Sequence, residues 1–325
     1  MARPATRKKT PSCADVPRTG NRGIRAPLGA VELFAGAGGA ALGLQRAGFR
    51  HLVAIERDPM AVATLRAAGF PAVEILVEHF RYRGDRPFLL WASPPCVPWS
   101  SAGKRAGACD PRALWPATLS QILQIRPVWV VVENVLSAPF DEWKRQLEQL
   151  YPFVAVWTLN AKDFRVPQDR ARKFLIAGPE PVQPPKPTGQ ISAAEAVPEL
   201  RGKWLRTEMI TARARAANAG PAPTIVTKSI LYVYPTDVGV RKVQKLGPGG
   251  KIADTEMVAR LQGFPADYPF QGSKGDRWKQ IGNAVPPPVA EAVTRAILAE
   301  AIGRTILRCS TLRAAAKTGR RRASR

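Results

Sequence analysis

Acidic side chains are scarce in this chain. Of its 325 residues, 25 are Asp or Glu against 49 Lys and Arg, which leaves a net charge of +24 at neutral pH. That balance points to a polyanionic partner, with nucleic acid the first candidate. The excess is not confined to the ends: residues 1–29 carry seven cations against Asp15 alone, residues 313–325 carry six and no acid, and the middle keeps +12. Histidine is scarcer still. His51 and His79 stand alone with no HExxH, so a histidine-metal site has no support. The four cysteines, Cys13, Cys96, Cys109 and Cys309, form no CxxC pair, which argues against zinc and against a disulfide framework. No metal is expected. There is no run of 18 apolar residues and no secretory leader, so the expected setting is cytoplasmic, at the nucleoid, with no membrane.

What is present is an alternation. After an arm over 1–28 without apolar period, expected to be disordered, come strands at "AVELFA" (30–35), "HLVAIE" (51–56), "PFLLWA" (87–92), "PVWVVVEN" (127–134) and "FVAVWTL" (153–159). Helical segments lie between them. "DPMAVATLRAAG" has Asp58 at an N-cap, Pro59 in the first turn and Gly69 as its stop, and further helices are expected near 112–125 and 139–150. Continuous apolar strands alternating with helices predict an α/β fold, a doubly wound and mostly parallel sheet covered on both faces. From Pro179 the texture changes: "GPEPVQPPKPTGQ" can continue neither a sheet centre nor a helix, and the chain to about Gly250 is irregular apart from a strand at "ILYVYPT" (230–236). A short helix is expected over 255–264 and a long amphipathic one over 286–303.

"LFAGAGGAALG" joins the first strand to the first helix, with Gly36 and Gly38 in the tight turn. Glycine there admits a ligand to the backbone, and the helix start offers free N–H groups. Glu56, at the end of the second strand, lies 20 residues beyond Gly36, where a carboxylate can take a ribose diol. Gly36, Gly38 and Ala41 also fit G-x-G-x-x-A, so this element alone says adenosine cofactor and leaves a nicotinamide dinucleotide open.

The choice comes from other stretches. "SPPCVPWSS" follows the strand "PFLLWA" and hangs Cys96 behind two prolines; "VVVENV" ends the next strand on Glu133 and Asn134. "VPQDRARKFLIAG" (166–178) carries Gln168, Arg170 and Arg172 at alternate positions, and "RLQGFP" (260–265) and "QIGNAVPPPVAEAV" (280–293) follow. With "ELFAGAGG" in front, this order resembles the DNA cytosine-5 methyltransferase family, small prokaryotic or phage type, from about residue 30 to 303.

The resemblance implies S-adenosylmethionine as cofactor and methyl transfer to carbon 5 of a cytosine flipped out of double-stranded DNA. Cys96 is then the nucleophile that adds to cytosine carbon 6, a task suited to a partly ionised thiol held by a rigid loop. Glu133 binds the ring's N3 and amino edge, Arg172 holds base and carboxylate, Arg170 joins this catalytic set by supporting the loop, and Asn134 orients the loop. Phe34, Gly36, Gly38, Gly39, Glu56, Pro94, Asn283 and Val285 fall at cofactor-binding positions. One departure stands out. The family's adenine-contacting aspartate is missing from "AVEILVEHFRYRGDRP" (72–87) before Asp85, so either Glu74 or Glu78 substitutes or the chain does without that interaction. The implied organisation is a catalytic domain, 29–178 plus about 280–307, and a target-recognition lobe, 179–279, whose segment 179–250 reads the DNA. A basic tail over 308–325 closes the chain. A monomer is expected, with a restriction endonuclease in the same host that makes no direct contact. The rival readings are the same chemistry on tRNA, a nicotinamide oxidoreductase, and an inactive DNA-binding relative.

Overall fold

A computed structural model of the chain describes residues 28–96, 110, 113–207, 214–227, 231–235 and 250–301. The arm before Leu28, the tail 308–325 and residues 208–213, 228–230 and 236–249 of the expected readout segment lie outside the described residues.

Seven strands form the main sheet: β1 (Gly29–Leu33), β2 (Arg50–Glu56), β3 (Ala72–Glu74), β4 (Leu89–Ala92), β5 (Trp129–Asn134), β6 (Phe153–Asn160) and β7 (Ala171–Gly178). Their order is β3-β2-β1-β4-β5-β7-β6. The first five run parallel, and β7 is antiparallel to both β5 and β6. Side chains alternate between two buried layers: Trp91, Trp129 and Val131 enter one, Leu90, Val130 and Val132 the other. With both faces covered, no position in β4 or β5 is left to solvent, which is why these strands read as unbroken apolar runs.

On one face lie α1 (Gly39–Arg46) and a long helix over 287–301; on the other lie α3 (Trp115–Ile125) and α4 (Phe140–Leu147), where Trp115 stacks on Trp143 at 4.7 Å between centroids. Helix α2 (Pro59–Ala67) starts as its sequence predicts, with the Asp58 side chain accepting from the N–H groups of Met60 and Ala61, and Gly69 follows at φ 83°. The chain works outward from β1 to β3 and then crosses back to β4 on the other side of β1. The switch point therefore lies between the carboxyl ends of β1 and β4, where such sheets place ligands.

The smaller lobe has an antiparallel sheet, β11-β10-β8-β9, from β8 (Trp204–Thr207), β9 (Arg215–Ala216), β10 (Leu231–Tyr234) and β11 (Lys251–Ile252). Short helix α5 (Ala193–Ala196) and helices α6 (Thr255–Leu261) and α7 (Lys274–Asn283) pack with it around Leu205, Leu231, Val258, Trp278 and Ile281. The apolar pattern of the sequence does not mark α7. Its signal lies in "SKGD": Ser273 and Asp276 form a reciprocal capping box. The final helix, numbered α8, runs over 287–301 in the described residues.

Candidate active site

The glycine turn runs through left-handed backbone. Phe34 (φ 56°), Gly36 (φ 54°) and Gly38 (φ 88°) all lie in the left-handed region, which a phenylalanine occupies only at a cost. Glu56 holds the turn from β2: its Oε2 accepts from Gly36 N at 2.8 Å, and its Oε1 from Arg57 N at 2.7 Å and Asp58 N at 2.9 Å. Two glycines of this turn are opposite in character. A Cβ on Gly36 would meet no protein atom within 4 Å, so open room faces it; a Cβ on Gly39 would stand 2.2 Å from the Val285 carbonyl oxygen. Helix α1 thus starts hard against the lead into α8, and the smaller lobe reaches the same turn through Tyr268, whose hydroxyl donates to Ala37 O at 2.6 Å.

Beneath the turn, Glu32 on β1 is buried, 3.0 Å from Nε2 of His51 on β2, and its carboxyl also takes the N–H of Ala41 in the first turn of α1. Burial raises the Glu32 pKa above the usual carboxylate range, against the pull of His51. The sequence motifs assign neither residue a place, although one acid inside the apolar "AVELFA" is an available signal.

Across the switch point, β4 leads into the Pro-Pro-Cys loop. Asn134 donates from Nδ2 to Pro94 O at 2.9 Å while its Oδ1 accepts from Val135 N, so the end of β5 is tied to the prolines. Cys96 is half-buried and free; residues 97–109 beyond it lie outside the described residues. Glu133, the penultimate residue of β5, lies nearby and almost wholly buried, with Arg172 of β7 in an ion pair at 3.3 Å (Nε to Oε1) and Ser93 hydrogen-bonded to it. Burial pushes both the Glu133 carboxyl and the Cys96 thiol upward. The charge of Glu133 pushes the thiol further up, whereas Arg172 and Arg170 pull both groups down. The arrangement gives a thiol and a carboxyl of mutually dependent protonation, under two fixed guanidinium charges.

The alternate residues of "QDRAR" part company here. Arg172 faces Glu133. Arg170, only 3 % exposed, donates to three backbone carbonyls, Ile225 (2.7 Å), Gly282 (3.0 Å) and Ala284 (3.3 Å). The family resemblance groups it with the catalytic set, but its hydrogen bonds make it the joint between the main sheet, the smaller lobe and the turn before α8. Gln168 belongs to the same joint: its Oε1 accepts from Ile225 N at 3.0 Å and its amide meets Gln262, which in turn donates to Ala284 O at 2.7 Å. That joint sets Asn283, which is exposed, and Val285, which is buried, beside the start of α1. Of the two acids proposed for the adenine edge, Glu74 closes β3 directly opposite Glu56 and is exposed, while Glu78 sits farther on in the single turn Val77–His79.

A model of the C-5 cytosine-specific DNA methylases matches residues 28–200 and 250–299. The chain belongs to this family. Among curated relatives, it is 33 % identical over 308 residues to the Type II methyltransferase M.NgoMIV of Neisseria gonorrhoeae, covering 82 % of this chain and 96 % of that one. It is 37 % identical over 321 residues to M.NaeI of Lentzea aerocolonigenes, covering 84 % and 75 %. Among solved structures, the Entamoeba histolytica methyltransferase EhMeth superposes with a TM-score of 0.62 at 14 % identity, covering 85 % of this chain and 99 % of that one, which shows the fold. The protein is thus a cytosine-5 methyltransferase: it transfers a methyl group from S-adenosylmethionine to carbon 5 of cytosine in nucleic acid. The nicotinamide reading falls away. The residues fit the cofactor, since Gly36 faces open room beside the Glu56 carboxylate at the switch point. Among the described residues no helix is long and apolar enough to cross a membrane, and no cluster of His, Cys, Asp and Glu could hold a metal.

Proposed function

We propose that the chain methylates cytosine in double-stranded DNA through a covalent adduct of Cys96 with ring carbon 6. The observation that carries this is the convergence of Cys96, Glu133 and Arg172 from β4, β5 and β7 at the sheet edge that also holds the glycine turn. S-adenosylmethionine supplies the electrophilic methyl group. Phe34, Gly36, Gly38, Gly39 and Glu56 would hold it from the turn side, together with Asn283 and Val285 beside the start of α1, with Pro94 across the switch point and Glu74 at the adenine edge. The bound base needs activation, because carbon 5 of cytosine is a weak nucleophile until a thiolate adds at carbon 6. Cys96 makes that bond. Glu133 holds the N3 and amino edge and supplies the proton the ring takes up, while Arg172 fixes the carboxyl in place. Once carbon 5 carries the methyl group, a water takes the carbon-5 proton and Glu133 takes back the proton it gave the ring. The bond from carbon 6 to sulfur breaks to release the Cys96 thiolate, which restores the aromatic ring.

The target base of a duplex is out of reach inside the stack, so it must turn into the cleft between the lobes. The smaller lobe, with 179–250 as its variable part, reads the flanking bases. The chain acts as a monomer at the nucleoid. The relatives' description as Type II methyltransferases supports a role beside a restriction endonuclease of the same host.

Transfer of tritiated methyl to duplex DNA, to tRNA and to no nucleic acid tests this reading. Wild type labels the duplex; Cys96→Ala labels nothing yet still binds DNA. A duplex with 5-fluorocytosine at the target traps wild type in a denaturant-resistant complex, since fluorine cannot leave as a proton does. Labelling of tRNA in preference to DNA, or any transfer by Cys96→Ala, overturns it.

A further inference from the structure

The edge of the main sheet opposite the cleft is basic. There the amino ends of four adjacent strands stand side by side, in the order β2, β1, β4, β5. Arg50 opens β2 as the partner of Gly29, and its N–H bonds to Leu28 O. Phe88 N bonds to Gly29 O, and just before it Arg86 donates from Nε to the carbonyl of Arg126 at 2.6 Å, which precedes β5. Arg46 ends α1, four residues before β2. All four of these arginines are exposed, and among the described residues none has a carboxylate within ion-pair distance. Exposed Asp85 is the acid of the 81–86 segment, and Glu291 is already paired with Arg295 at 2.9 Å.

Two further observations bear on this edge. Arg126 occupies the left-handed position after α3 (φ 51°), a place where glycine is at ease and arginine is strained by about 1 kcal/mol. The described chain also begins and ends on this side. Leu28 enters β1 at this edge. Helix α8 starts with the Val285 and Pro287 carbonyls against Gly39 and Gly43, and Arg295 donates to Arg46 O at the far end of α1, so α8 descends alongside α1 to the same side. Residues 1–27 and 302–325 together carry fifteen Lys and Arg and one acid.

We propose that this edge is a second duplex-DNA contact, which binds the phosphates of a segment other than the one in the cleft. Three strand intervals separate Arg50 from Arg126, about 14 Å, a length of duplex axis that carries about eight phosphates. The two edges lie a strand's length apart, about 23 Å for the seven residues of β2. A straight duplex seated in the cleft therefore cannot reach these fixed side chains. Contact at this edge is without sequence preference, because no element enters a groove. It keeps the enzyme on DNA while the cleft samples sites.

The test uses the full chain and a 20-base-pair dA·dT duplex, which contains no cytosine. Binding is followed by fluorescence anisotropy against salt for wild type and for Arg46→Gln/Arg50→Gln/Arg126→Gly. The expected result is two duplexes per wild-type molecule at low salt and one for the variant. The slope of log K against log salt should be shallower by about 2.7, at about 0.9 for each phosphate left unneutralised. Turnover on saturating target duplex should stay within about twofold of wild type, which shows an intact fold. Should the triple variant not fold, Arg126→Gly alone, which relieves the backbone, must lower the slope by about 0.9. Equal slopes and equal stoichiometry overturn the proposal. So does binding of poly-glutamate to these arginines in preference to the duplex, which would assign the edge to an acidic protein. None of these readouts depends on catalysis, so a failure of the cleft reading appears separately, as wild type that does not methylate.

Discussion

Two glycines three residues apart should respond to the same substitution in opposite ways. At Gly39 an added Cβ stands 2.2 Å from the Val285 carbonyl oxygen and 3.1 Å from the Ala284 Cβ, and the Ala284 carbonyl is held by Arg170 and Gln262. Something must move by most of an ångström, and what moves is the lead into α8, whose Val285, Val289, Ala290, Val293 and Ile297 belong to the core. Overpacking of that kind costs about 1–3 kcal/mol. At roughly 2–4 °C per kcal/mol, Gly39→Ala should melt several degrees below wild type without any ligand. Gly36 is different. Its added Cβ meets no protein atom within 4 Å, so the fold bears only the strain of alanine at φ 54°, about 1 kcal/mol. The methyl group instead fills the room beside Glu56. Calorimetric titration with S-adenosylmethionine should show Gly36→Ala binding at least tenfold more weakly, with a melting temperature within about 4 °C of wild type. Wild-type cofactor affinity in Gly36→Ala would remove the cofactor from that turn. A wild-type melting temperature in Gly39→Ala would show that the α1–α8 contact yields freely.

Glu133→Gln should cut turnover by about a hundredfold, the scale for a positioned acid–base group, while moving the thiol the other way. With the carboxylate charge gone, the Cys96 pKa falls, so alkylation by iodoacetamide at fixed pH speeds up; slower alkylation would mean that Glu133 does not act on the thiol. The sign in wild type follows from the same groups: the thiol is raised, so its reactivity increases with pH through a midpoint above that of an ordinary cysteine. Arg170→Met should destabilise the fold by about 3–5 kcal/mol in denaturant titration, because the buried Ile225 and Gly282 carbonyls lose their side-chain donor and Ala284 O keeps only Gln262. Its folded fraction should keep kcat within tenfold; a drop comparable to Glu133→Gln would return Arg170 to the catalytic groups. Tyr268→Phe removes one hydrogen bond to Ala37 O and little packing, and should raise KM for the cofactor severalfold at unchanged kcat. An unchanged KM would make that hydrogen bond incidental to the turn.

The strands and helices of the main sheet are legible in sequence because their signals are local. A capping Asp58 before Pro59, a stop at Gly69 and apolar runs that must be covered on both faces each constrain a few neighbouring residues. The insertion of β7 between β5 and β6 is not legible, since which strand pairs with which is decided by contacts distant in sequence. The site divides along the same line. Cys96 and Glu133 can be marked because each lies at or just beyond the carboxyl end of an apolar strand, the side of such a sheet where ligands sit. Arg170 and Arg172 cannot be told apart in sequence. Both stand at alternate positions of one motif, yet one meets Glu133 and the other crosses to Ile225, Gly282 and Ala284, residues supplied 55 to 114 positions later. Glu74 and Glu78 show the intermediate case. Their order in the chain leaves the adenine edge open, but the register of β3 on β2 pairs Glu74 with Glu56, and that pairing favours it. Glu32 is visible as an acid in an apolar strand and still carries no reading by itself, because its partners are His51 on the next strand and the N–H of Ala41. A buried carboxyl is meaningful only once something is found to face it, and what faces it here is the start of the helix that follows the glycine turn.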